Sequence, residues 1–141
     1  MRNKLNKTQS MMMFSNLFLV LPVIFAGIYH QWIYCFLASG LLIFSPLYHW
    51  YRINNPNSLY FNLFRKCDWL FAVGAFLYMY YYVYQYVSVD YKVIFFALLS
   101  LVVLFFWYGY KKSDYEKMHP WFHIVAPIIS SAILIVAYTN S

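Results

Sequence analysis

Five apolar stretches, at about 12–29, 31–51, 68–87, 91–110 and 120–139, constrain this chain more than any other feature. Each is close to the ~20 residues that an α-helix needs to cross the hydrocarbon of a bilayer. Of 141 residues, 64% are hydrophobic and only 10% charged, more apolar surface than a water-soluble domain of this size can bury. The bilayer is therefore the expected solvent. Alternating-strand patterns are absent, which argues against a barrel. The expected fold is all-α, a polytopic integral membrane protein whose five-helix transmembrane bundle makes a single domain over 1–141. No soluble domain, repeat or low-complexity tail is expected beside it.

The formal net charge of +6 invites a nucleic-acid reading, but its placement opposes one. Arg2, Lys4 and Lys7 precede the first stretch; Arg52, Arg65 and Lys66 lie between the second and third; Lys111, Lys112 and Lys117 lie between the fourth and fifth. Only Lys92 falls on the other side, so nine of the 10 basic residues share one face. That asymmetry predicts a cytoplasmic N-terminus and an outer C-terminus. The charge then serves topology and contact with anionic lipid, and no nucleic-acid partner is expected. A basic start followed by MMMFSNLFLVLPVIFAG also has the look of a signal peptide. The apolar stretch is long and Ile24-Phe25-Ala26 is a mediocre cleavage site, so a retained helix is expected.

Between the second and third stretches, Asn54-Asn55-Pro56-Asn57-Ser58 predicts a helix stop and turn. Residues 59–66 then read as a short amphipathic piece in the headgroup layer. Six tyrosines between Tyr78 and Tyr86 read as an interfacial belt at the outer end of the third helix. Cys35 and Cys67 fall near opposite membrane faces, too far apart for a mutual disulfide.

The polar residues at the ends of the stretches carry the functional signal. Ser45 and His49 occur in SPLYH, Asp68 in CDW, and His119 and His123 in HPWFH. Residues four apart share a helix face, so each of the two spaced pairs points one way. Alone, either pair is a weak signal. The alternating direction of the helices puts His49, Asp68, His119 and His123 at one depth near the inner face, with Ser45 about one turn (~6 Å) deeper. Ionisable groups near hydrocarbon are usually paired or functional. Interfacial snorkelling would explain any one of them, and it suffices for His30, which has no partners at the outer end. The full set predicts a zinc site: His49, His119 and His123 as ligands, with an open fourth position of the kind catalytic zinc keeps. Asp68 would exchange protons as general base and acid, and Ser45 would orient the water or stabilise a developing oxyanion.

SPLYH, LFRKCDWLFAVGAFLY and HPWFHIVAP together resemble the CREST membrane hydrolase superfamily, which contains alkaline ceramidases, progestin and adipoQ receptors and haemolysin III proteins. The haemolysin III and adipoQ receptor pattern is the nearer one. The resemblance implies His49, His119 and His123 as zinc ligands and places Asp68 and Ser45 in a hydrolytic centre. It covers about a third of the chain. Family members typically have seven helices, and the stretch between the aspartate and HxxxH is shorter here by two. Their loss preserves orientation but opens the substrate cavity, or calls for a homodimer to close it.

The leading expectation is a zinc-dependent intramembrane lipid hydrolase that cleaves an acyl amide of ceramide type, with membrane lipids as environment and substrate. A non-enzymatic receptor or scaffold module with a structural zinc site is the alternative. A bis-histidine haem protein ranks last, since it leaves the aspartate and serine without a role.

Overall fold

The structure is a computed structural model that describes residues 7–111 and 115–140. Arg2, Lys4 and Lys112, counted above among the basic end groups, and Ser141 lie outside the described residues. All regular structure among the described residues is helical. The order is α1 (Lys7–Ser15), a 3₁₀ turn (Asn16–Leu19), α2 (Val20–Ile28), α3 (Trp32–Asn54), α4 (Leu59–Tyr86), α5 (Val89–Lys111) and α6 (Tyr115–Thr139).

Among the described residues, four helical segments are long and apolar enough to cross a membrane: Ser10–Ile28, Trp32–Asn54, Val89–Lys111 and Lys117–Thr139. The 28-residue α4 is longer than any of them but less apolar, because Arg65, Lys66, Asp68 and the tyrosine run lie within it. The separate amphipathic piece expected at 59–66 is not separate. It is the first part of α4, since Ser58 caps the helix by accepting a hydrogen bond at Oγ from Phe61 N (3.1 Å) and no glycine or proline interrupts the chain before Gly74.

The first apolar stretch is interrupted rather than uniform. Ser15 Oγ and Asn16 Nδ2 both donate to the Met12 carbonyl, at 3.1 and 3.0 Å. Side chains that bond back to the preceding turn compete with the helical ladder. Pro22 removes a further N–H from the same rod. Between them the backbone tightens into the 3₁₀ turn.

Ring contacts fix how the helices run. Tyr34 packs on Tyr78, Phe44 on Phe71 and Tyr48 on Phe61, so α4 returns antiparallel along the length of α3. Gly40 permits this close approach, because a Cβ there would come within 2.3 Å of the Phe71 ring. The Tyr80–Ser100 hydroxyl contact sets α5 against α4, and Phe106–Phe122 sets α6 against α5. The Tyr29 and Tyr138 rings stack at 4.4 Å, so α6 ends beside the end of α2 and runs in its direction. Ala26, Ala38, Met79, Val83, Ile133 and Leu134 fill the interior of the bundle toward the end where Tyr29 and Tyr138 stack. Large apolar residues such as Trp32, Leu77, Leu104 and Trp107 are exposed around it, as lipid-facing residues would be. Both cysteines are free.

Candidate metal centre

Buried positions on α3 recur at Tyr34, Ala38, Ser45, Tyr48 and His49, and on α6 at His119, His123, Pro127, Ser130, Leu134 and Ala137. Both are single stripes at helical spacing. The inward stripe of α3 therefore ends on a histidine, and that of α6 begins on two. Antiparallel packing brings those ends together.

His49, His119 and His123 are buried, and their ligand nitrogens lie within 4.8 Å of one another. His119 Nε2 is 3.2 Å from His49 Nε2 and 2.7 Å from His123 Nε2. A neutral imidazole nitrogen has either one proton or one lone pair, so His119 Nε2 cannot make a good hydrogen bond to both neighbours at once. Three lone pairs turned toward one cation remove that conflict. Zinc–nitrogen bonds of about 2.0–2.1 Å in tetrahedral geometry hold their nitrogens ~3.3 Å apart, so the two His119 contacts need only a small expansion to match a ligand set. The residues present fit the metal.

The Tyr48 ring lies beside His49 at 4.7 Å, and Phe106 and Phe122 flank His119 at 5.6 and 6.0 Å. These rings pack closely around the imidazoles. Axial ligands of a haem stand on opposite faces of the porphyrin, whereas these rings are in mutual contact and leave no slot for one. The aromatic packing is invisible to motif reading, since phenylalanine and tyrosine are common throughout the chain.

Asp68 is not part of the three-residue cluster, and Ser45 lies one helical turn before His49 on α3. The Asp68 carboxylate and the Ser45 hydroxyl face each other. Their approach is too slack for a hydrogen bond, since Ser45 Oγ is buried without one. His49 Nδ1 and His123 Nδ1 are likewise buried without a hydrogen bond. His30, by contrast, is exposed at the far end of the bundle with φ 57° and a Trp32 neighbour.

A polar residue that motif reading passed over is Asn16, which is 1% exposed with a buried, unpartnered Oδ1. Its signal was an amide in the middle of MMMFSNLFLVLP, an expensive group to place in a crossing helix.

An apolar groove of ≈ 580 Å³ runs between α5 and α6, walled by residues including Leu101, Phe105, Phe122, Val125 and Ile129. Phe105 and Phe122 also line a narrow cleft that reaches His119, so the groove leads toward the imidazoles.

No family model, curated protein or solved structure matches the chain. What its own geometry establishes is a buried three-histidine cluster capable of holding a metal ion within a helical, membrane-spanning bundle.

Proposed function

We propose that this chain is a zinc-dependent intramembrane lipid hydrolase acting on an acyl amide of ceramide type, in line with the resemblance to the CREST hydrolases. The observation that carries this reading is the convergence of three imidazole Nε2 atoms whose contacts no set of neutral tautomers can satisfy. His49, His119 and His123 would hold a zinc ion, which would supply Lewis acidity and make water a nucleophile near neutral pH.

The chain's own residues account for the other needs of the reaction. Asp68 accepts the proton of the attacking water and delivers it to the leaving amine. Ser45, facing Asp68, would hydrogen-bond the attacking water or the developing oxyanion through its hydroxyl. The groove between α5 and α6 would take the acyl chain sideways from the bilayer, and the narrow cleft that shares its Phe105 and Phe122 walls would have to widen to bring the carbonyl to His119.

Two features support a site at the cytoplasmic face of a five-crossing bundle. The α4 helix runs back along α3, so it crosses wherever α3 does. Arg52, Arg65, Lys66, Lys111 and Lys117 sit at the helix ends that carry the histidines, while Lys92 lies at the opposite end.

The test is release of fatty acid from a long-chain N-acyl sphingoid base by zinc-loaded protein in vesicles. Val125→Trp, which fills the groove, should slow long-chain amides far more than short-chain ones. A protein holding one zinc per chain that releases no acyl group from lipid amides or esters would overturn the hydrolase.

A second reading, a structural zinc that ties α3 to α6, is favoured by one observation: the cleft beside His119 is too narrow to admit a water. In that case metal removal would unfold the bundle and Asp68→Asn would change nothing measurable.

A further inference from the structure

The 3₁₀ turn carries an uncommitted acceptor. Asn16 Nδ2 donates back to Met12 O at 3.0 Å, which orients the amide and leaves Oδ1 as the end that faces away. That oxygen is buried and has no partner. The turn packs against α6 and α3, the two helices that carry the three histidines.

Its depth follows from the contacts at the outer end. Starting from the Tyr29–Tyr138 stack, Asn16 lies ~20 Å back along α1–α2 and His123 lies ~22 Å back along α6. Starting from the Cys35 Sγ contact with Val23 O, Asn16 lies ~11 Å along its rod and Ser45 ~15 Å along α3. Asn16 therefore sits level with His123 and within a turn of Ser45.

A histidine that binds metal through Nε2 keeps a proton on Nδ1, and that N–H is normally tied to an acceptor, which sets the ring's orientation. His123 Nδ1 is buried and has no acceptor. We infer that in the metal-loaded site Asn16 Oδ1, which makes no direct hydrogen bond to His123 in this structure, accepts from the His123 Nδ1–H, directly or through one ordered water, and so positions that ring for metal. Asn16 is a positioning residue, and its role rests on the metal-centre reading above. The same chemistry explains why an amide occupies a crossing helix where leucine would be the apolar choice.

The test is zinc affinity, measured by competition with a chromophoric chelator on full-length protein in detergent. Asn16→Leu should weaken zinc binding by about 10–100-fold. Asn16→Asp keeps an acceptor at the same place and should stay near the wild-type affinity. Equal weakening in both variants would mean a packing role and overturn the inference, as would wild-type affinity in Asn16→Leu. If Asn16→Leu does not fold, Asn16→Ala is read by the same criteria. With ¹⁵N-labelled histidine, zinc-loaded wild type should show a hydrogen-bonded Nδ1–H that Asn16→Leu lacks and Asn16→Asp retains; its persistence in Asn16→Leu would overturn the inference alone. Wild-type protein that binds no zinc would overturn the metal centre and this inference together.

Discussion

The two ends of the bundle bury polar groups in opposite ways. At the end away from the histidines (the outer end in the proposed orientation), polar groups meet partners of the right kind: Tyr78 Oη donates to Gln31 Oε1 at 3.1 Å, and the Tyr80 and Ser100 hydroxyls pair at 3.0 Å. Tyr29 and Tyr138 stack there, and Lys92 lies over the Tyr84 ring. At the inner end, three imidazoles present like groups to like groups, and the Ser45 hydroxyl and Asn16 Oδ1 are buried without hydrogen bonds. The outer end is what a helical bundle makes of an interface, with these polar groups satisfied locally. The inner end carries unpaired buried polar groups, each costing about 1–3 kcal/mol, a cost that an ion held by the three imidazoles would offset.

The contrast is broken most severely at His119, whose Nε2 touches both other imidazoles. His119→Ala should abolish zinc binding, read as metal content by mass spectrometry falling from about one per chain to none, and hydrolysis should fall with it. Zinc retained at wild-type occupancy would show that the cluster is not the metal site.

Asp68→Asn separates chemistry from metal. Zinc content should persist, since Asp68 stands outside the cluster, while lipid turnover should drop by about 10²–10⁴-fold, the range for loss of a general acid–base group. Unchanged turnover would remove Asp68 from the reaction.

A smaller effect is expected between the two ends, where α3 and α4 touch at Gly40. Gly40→Leu must displace the Phe71 ring, which would otherwise lie 2.3 Å from the new Cβ. Overpacking of this kind should lower stability by about 1–3 kcal/mol, seen as a reduced thermal midpoint in detergent. A midpoint equal to wild type would mean that the two helices are not closely packed there. The smallest change is at the outer end. Tyr78→Phe removes one hydrogen bond to Gln31, a loss of about 0.5–1.5 kcal/mol, and should leave zinc affinity unaltered. A shift in zinc affinity would show that the ends are coupled.

Much of this organisation was legible in the residues. The proline and asparagines after Asn54 ended α3 as expected, and HPWFH opened a helix face with both histidines inward. The extent of α4 was less legible. Residues 59–66 are amphipathic enough to suit the headgroup layer, and composition does not reveal that Ser58 caps one unbroken helix through to Tyr86. The 3₁₀ turn was hidden for a similar reason, because Ser15 and Asn16 disturb the ladder only through a shared carbonyl at Met12.

The sequence by itself determined one coordinate of the site. Helix length and alternating direction assign every residue a depth, so His49, His119 and His123 had to lie near one level once the chain was helical. Depth says nothing about which helices are neighbours or which way each is rotated. Only the tertiary structure decided that α3 and α6 bring three Nε2 atoms into contact, that Asp68 stands aside facing Ser45, and that the 3₁₀ turn carrying Asn16 lies against both ligand-bearing helices. Those outcomes depend on side-chain packing between helices, such as Phe71 over Gly40 and Phe122 against Phe106, which no spacing along a single helix encodes.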